Sequence, residues 1–226
     1  MLEFVDRKQK AELVLVPGWA FDCRIFKTLD LPYNYIFARD GTMRFENELE
    51  NMLEQNGSKK VSMLGWSQGA FDVCSFAAKR PDVVEEIILV GIRKKYEKEG
   101  LTGIKKYLMK NSRAYLYKFY KDCFSEAEKD SYSWFKDTLL NEYLENIEQK
   151  RLLDELDRLE RAQIKPSALA KLRRIVIVHG REDKIAPVGQ AADIARSLAN
   201  SKLIIFDKAG HLPFLRRDFA ERLYGC

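Results

Sequence analysis

Cysteine is scarce in this sequence and poorly placed for joint work: Cys23, Cys74, Cys123 and Cys226 lie far apart and form no C-x-x-C pair. That spacing argues against a zinc site and against a disulfide framework, so the four read as reduced thiols. No metal and no cofactor is expected. Histidine is scarcer still, with only His179 and His211. No long apolar run occurs, and the first residues, Met1-Leu2-Glu3-Phe4-Val5-Asp6-Arg7-Lys8, set acidic residues among few apolar ones. They resemble neither a signal peptide nor a membrane-spanning helix; a soluble, cytoplasmic, monomeric protein without a membrane partner is expected. Glycine and proline are absent between Gly103 and Pro166, which points to a run of helices there. Neither sign of charge dominates: 39 Lys and Arg face 34 Asp and Glu, a net +5. Such an excess matters only where it is concentrated, and no nucleic-acid-binding motif accompanies it.

With 226 residues, 46% of them hydrophobic, the chain can bury one full core, and one domain carrying an insertion is expected. Short apolar runs at Ala11 to Val16, Tyr33 to Ala38, Val61 to Leu64, Glu86 to Val90, Arg174 to Val178 and Ser201 to Phe206 read as buried strands. Helical segments alternate with them: a short one near Ile25 to Leu29, then Arg44 to Gln55, Phe71 to Lys79, Gly189 to Leu198 and Pro213 to Leu223. Alternating strands and helices make an α/β fold with a mostly parallel, doubly wound sheet. The alternation stops between residues 92 and 172, whose long charged segments rich in Lys, Glu, Leu and Tyr read as the helical insertion.

Gly65-Trp66-Ser67-Gln68-Gly69 follows one of these strands and fits G-x-S-x-G. In that pattern a strand turns sharply into a helix and presents the serine at the turn, so an exposed Ser67 hydroxyl is expected. An ordinary glycine-flanked turn serine would look the same alone. A serine nucleophile also needs a base, an acid that orients the base, and donors for an oxyanion. His211 follows the last strand and so shares with Ser67 the carboxyl edge of a parallel sheet. His179, at a strand end before Gly180, reads as structural and stays the second candidate. Asp183, in the loop after the preceding strand, is the candidate acid that would fix the imidazole tautomer. Glu182 beside it is the competitor.

Together, Pro17-Gly18-Trp19, Gly65-Trp66-Ser67-Gln68-Gly69, Gly180-x-x-Asp183-x-x-x-Pro187 and Gly210-His211 resemble the motifs of the α/β-hydrolase superfamily in the chain order Ser, Asp, His. The resemblance implies a catalytic triad of Ser67, Asp183 and His211, with the backbone N–H groups of Trp19 and Gln68 as the oxyanion hole. Members often have His before the first of those glycines; here Pro17 stands there, and backbone donors are indifferent to it. Only about ten residues precede the first buried strand, so the antiparallel pair that usually opens the superfamily is expected to be missing and the sheet to have about six strands. Arg39-Asp40-Gly41 is shorter than the glycine-rich loop of many members, which leaves that side of the pocket more open.

The Gly-Trp-Ser signature and the Gly-His-x-Pro-Phe ending resemble esterases of the biotin pathway that demethylate pimeloyl-[acyl-carrier protein] methyl ester. A serine carboxylesterase of that kind is implied, with an acidic acyl-carrier protein as partner. The same triad also serves short-chain carboxylesterases, thioesterases and C–C bond hydrolases, and a noncatalytic carrier-binding module stays open. From Arg93 to Lys121 there are ten Lys and Arg against Glu97 and Glu99, a patch that would attract an acidic partner unless it is only a solvated helix face. Lys105, Lys106, Lys110 and Arg113 are its candidate contacts. Tyr107, Leu108, Tyr115, Leu116, Phe119 and Tyr120 are expected on the inner face, and Trp66, Tyr115 and Phe119 are the candidate substrate contacts.

Overall fold

The apolar runs too brief for helices become strands of one sheet in the computed structural model, which describes residues 2–38, 45–55, 60–146 and 148–225. In chain order the elements are β1 (Leu2–Val5), β2 (Glu12–Val16), β3 (Asn34–Ala38), α1 (Phe45–Gln55), β4 (Val61–Trp66), α2 (Gln68–Lys79) and β5 (Val84–Val90). Four helices follow: α3 (Lys98–Asp122), α4 (Lys129–Phe135), α5 (Asn141–Asn146) and α6 (Gln149–Arg161). The chain then returns to the sheet with β6 (Ile175–Gly180), α7 (Val188–Arg196), β7 (Ser201–Phe206) and α8 (Phe219–Tyr224). The short glycine loop at Arg39-Asp40-Gly41 and the Asn56-Gly57 helix stop lie outside the described residues.

The strand order is β1-β3-β2-β4-β5-β6-β7, with every pairing parallel except β1 with β3. Among the described residues the sheet has seven strands in place of the about six expected from the sequence, because the opening residues form one antiparallel edge strand. Leu2 faces Ala38 and Val5 faces Tyr35 across that pair. Asn34 ties the turn after it by accepting from the N–H groups of Arg7 (2.8 Å) and Gln9 (3.0 Å). β2, β4 and β6 are buried along their whole length, as strands covered on both faces must be, which is why they read as unbroken apolar runs rather than as alternation.

The order places the reversal of strand direction of travel between β2 and β4, whose neighbours run to opposite sides. Crevices in open α/β sheets form outside the carboxyl ends of strands at such a point. Val16 pairs with Gly65 there, so the loop leaving β2 and the turn leaving β4 emerge side by side.

Between β5 and β6 the helices pack on one another and over that edge. Leu152, Leu156 and Leu159 of α6 are buried at i, i+4 and i+7, one stripe of an amphipathic helix. α3 packs against α6 and is broken at Asn111 (φ −162°, ψ 89°). The Asn111 side chain accepts from the N–H of Ala114 at 2.9 Å, so it caps the second half of the helix as a fresh N-terminus. The terminal segment departs from expectation: a short 3-10 turn at Pro213–Leu215 and extended Arg216 (ψ 139°) precede α8, in place of one helix from Pro213.

Candidate active site

The residue after β4 must reverse the chain directly into α2, and Ser67 does so with φ 54° and ψ −113°. A positive φ at a residue with a Cβ is strained and persists only where the surroundings over-determine it. They do: the Ser67 N–H donates to Val90 O at 2.8 Å, and α2 starts at the next residue. A Cβ at Gly69 would run into the backbone carbonyls of Val16 and Pro17, and one at Gly65 would come within 2.6 Å of Gly69 O. Gly69 lets the turn lie against the β2 loop, and Gly65 lets the start of α2 fold closely over the end of β4. As first residue of α2, Gln68 has an N–H without an intrahelical partner, at the positive end of the helix dipole.

Ser67 is buried, at 6% exposure, not exposed as the pattern alone suggests. Gly18 lies against it, since a Cβ there would be 3.1 Å from Ser67 Cβ. Half-buried Tyr96 lies within reach of the Ser67 side chain, and burial pushes its phenol up. Arg93 holds that ring from above, its guanidinium 4.5 Å from the ring centroid.

His211 and Asp183 arrive from the loops after β7 and β6. His211 Nδ1 is 2.7 Å from Asp183 Oδ2, while the other carboxylate oxygen accepts from the N–H groups of Ile185 and Ala186, both at 2.8 Å. Burial opposes the Asp183 charge, but His211 and His179 beside it hold the carboxyl well below the usual carboxylate range. His211 is 1% exposed and its Nε2 has no hydrogen-bond partner. A ring with Nδ1 fixed on a carboxylate and Nε2 unengaged is set to take a proton at Nε2. Glu182 is exposed and contributes only its backbone here, donating to Ala209 O at 2.9 Å. His179 lies fully buried under the acid loop, its Nε2 2.7 Å from Ala186 O and 3.2 Å from Asp183.

The alpha/beta hydrolase fold family matches residues 33–218, a span that contains Ser67, Asp183 and His211. The chain belongs to this family. Among sequence relatives, a pimeloyl-[acyl-carrier protein] methyl ester esterase of Nitrosomonas europaea is 22% identical, over 95% of this chain and 93% of the relative. An esterase from Exiguobacterium antarcticum has a similar structure, with a TM-score of 0.81 at 19% identity over 99% of this chain and 93% of the other. A bromoperoxidase from Bacillus anthracis is similar to nearly the same degree, with a TM-score of 0.80 at 18% identity over 98% and 92% of the two chains. Proteins of differently named activity thus share the fold, and function has to be argued from the site.

In this α/β hydrolase the β2 loop is fastened from above by the helical segment. Trp19 donates its indole N–H to Leu152 O of α6 at 3.1 Å, and its ring meets Phe119 edge-on at 5.0 Å and Tyr115 at 6.4 Å. Tyr120 donates to Ala20 O at 2.7 Å. Phe119 and Tyr115, candidates for substrate contact, therefore pack on the Trp19 side chain. Trp66, the third candidate, has no exposed surface; it donates to His211 O at 2.8 Å and packs on Phe21 and Phe214. The structure gives it a bracing role beneath the histidine loop.

The basic segment is more divided than its composition suggests. Leu108, Leu116 and Tyr120 face inward as expected, but Tyr107 is 62% exposed and stacks on Tyr115. Lys105 is half-buried and engaged by Asp157 and Glu160 of α6, so it contributes little to a free surface charge. Lys106, Lys110 and Arg113 are exposed. Among the described residues no group of three or more His, Cys, Asp or Glu is placed to hold a metal, and no helix is long and apolar enough to cross a membrane.

A cleft of about 460 Å³ adjoins the site, lined by Gln68, Phe71, Asp72 and Ser75 of α2 and by Arg158 and Leu159 of α6. Asp72 is buried there; Oδ1 meets Arg158 at 3.1 Å while Oδ2 has no partner. Burial pushes its carboxyl up to about 7, against the pull of Arg158. A carboxyl raised in the folded state contributes stability that is fully present below about pH 4 and is lost as pH climbs through 7. Asp72→Asn does not titrate, so its stability relative to wild type should improve by roughly 2–3 kcal/mol from pH 5 to pH 8. Urea unfolding of both proteins at the two pH values reads this directly; a pH-independent difference would contradict it.

Proposed function

We propose that the protein is a serine carboxylesterase that hydrolyses an acyl methyl ester, with pimeloyl-[acyl-carrier protein] methyl ester as its substrate. The observation that carries the reading is the buried, unengaged His211 Nε2, held by Asp183 at the edge where the Ser67 turn emerges. His211 Nε2 takes the Ser67 proton as Oγ attacks the ester carbonyl, and the N–H groups of Trp19 and Gln68 receive the developing oxyanion. The imidazolium returns that proton to the departing methoxide, which leaves as methanol. Water then attacks the acyl-enzyme with the same imidazole as base, and the carboxylic acid departs as Ser67 is reprotonated. The helices between residues 92 and 172 act as a lid over the β2 loop, which they hold through Trp19 and Tyr120.

The relative in Nitrosomonas europaea supports the choice of ester through its name and its full-length match. Exposed Lys106, Lys110 and Arg113 support an acidic carrier as the body that presents it. Lys105 is left out of the test, because reversing its charge beside Asp157 and Glu160 would damage the lid itself. The experiment compares hydrolysis of pimeloyl methyl ester on acyl-carrier protein with that of a short p-nitrophenyl ester, in wild type and in a Lys106→Glu, Lys110→Glu, Arg113→Glu protein. The ratio of the carrier-bound to the free rate should fall roughly tenfold in the triple variant, and should also fall in wild type as salt rises through about 0.15 M. Equal changes on both esters would remove the carrier from the account, and no turnover of the carrier-bound ester by wild type would remove the substrate.

A further inference from the structure

The histidine loop is held from the lid side by a seam that the reaction chemistry does not itself require. The turn between α3 and α4, residues 123–128, meets the loop 207–211 through three hydrogen bonds. His211 N–H donates to Cys123 O at 2.7 Å, the Ser125 hydroxyl donates to Lys208 O at 2.6 Å, and Gly210 N–H donates to Glu128 Oε2 at 2.7 Å. The same Oε2 accepts from the Ser125 N–H at 2.8 Å. One carboxylate oxygen thus clamps both sides of the seam. Glu128 is 6% exposed, and bonds from N–H groups to a buried carboxylate are among the stronger hydrogen bonds a protein makes.

The approach is close enough to demand glycine. A Cβ at Gly210 would lie 2.5 Å from Cys123 O, 2.8 Å from Ser125 N and 3.0 Å from Glu128 Oε2. The Glu128 clamp therefore acts on the residue directly before the base. Across the loop, Trp66 holds His211 O and Glu182 N–H holds Ala209 O, so the seam fixes the remaining side.

Resting on the reading of Ser67 and His211 as nucleophile and base, we propose that Glu128 is a positioning residue for catalysis. By accepting from Gly210 and Ser125 together it fixes the His211 backbone, and with it the aim of Nε2 at Ser67. Removing the acceptor leaves a buried N–H on each side of the seam unsatisfied, and the loop must shift to find water or another partner. A displacement on the order of 1 Å at reacting groups costs about a hundredfold in rate.

The test uses the full chain with Glu128→Ala, Glu128→Asp and Glu128→Gln. Two quantities are read: kcat and KM on a p-nitrophenyl ester, and the second-order rate at which a fluorophosphonate labels Ser67, which reports the nucleophile without a bound ester. Alanine removes the acceptor, and aspartate keeps the charge but withdraws the acceptor by one methylene. Both should lower kcat and the labelling rate about tenfold to a hundredfold with KM within about twofold. Glutamine offers a carbonyl oxygen in the same place and should restore both rates to within about threefold of wild type. If the folded alanine and aspartate proteins keep wild-type kcat and labelling, or if glutamine is as impaired as they are, the inference is overturned. Should the alanine protein fail to fold, the contrast of aspartate with glutamine decides alone. Absence of label at Ser67 in wild type would overturn this inference together with the serine-esterase reading; normal wild-type labelling with unimpaired variants overturns this inference only.

Discussion

Ser67→Ala is expected to lower ester hydrolysis by roughly six orders of magnitude while leaving the thermal midpoint within a few degrees of wild type. The size of the loss follows from the proposed mechanism, in which every other part serves that hydroxyl and members of such a unit lose activity together. Survival of the fold follows from the backbone. Ser67 sits at φ 54°, a conformation that strains alanine about as much as serine because the objection is to the Cβ that both carry. Only the hydroxyl and its contact with Tyr96 are removed. Circular dichroism, the unfolding midpoint and kcat/KM on a p-nitrophenyl ester suffice; a variant that stays native and active within tenfold would mean another group does the chemistry.

The two histidines should separate into different kinds of loss. His211→Ala removes the proposed base and should match Ser67→Ala in rate; because its ring is 1% exposed and bonds Asp183 at 2.7 Å, it should also cost stability, roughly 2–4 kcal/mol. His179→Ala should chiefly destabilise. Its imidazole is fully buried, meets Ala186 O at 2.7 Å and lies 3.2 Å from Asp183. Its removal leaves a cavity and an unpaired carbonyl, roughly 2–4 kcal/mol together. Activity per folded molecule should fall far less than in His211→Ala, since His211 Nδ1 keeps its 2.7 Å bond to Asp183. Unfolding free energy and kcat, measured on both variants, test the pair of statements; a dead His179→Ala beside an active His211→Ala would reverse the assignment.

What could be read from the sequence was local or tied to strand ends. Ser67 announced itself because a strand, two glycines and a helix start all fall within seven residues. Asp183 and His211 could be placed because each follows an apolar run, and parallel strands send the residues after them to one edge. Features made by contacts between distant segments had no such signal. β1 is four residues, too short for a period to show, and exists by pairing with β3 more than thirty residues on. Ser67 is buried against Gly18 of the β2 loop, and the loss of Lys105 from the basic surface depends on Asp157 in another helix. Tyr107 adjoins buried Leu108 in α3, but one residue is about 100° of turn around the helix, which carries it off the inner face. Glu128 lies in a charged stretch, Glu126-Ala127-Glu128-Lys129-Asp130, that reads as solvated surface. Only the fold brings Gly210 to it.

Activation of Ser67 as a nucleophile by His211 is tested by covalent capture. The wild-type protein and His211→Ala are treated with a fluorophosphonate, digested, and the modified residue is located by mass spectrometry. One phosphonyl group is expected on Ser67 in the wild type, with labelling slowed by several orders of magnitude in His211→Ala. Label on another residue, or label on Ser67 at the same rate with and without His211, would contradict it.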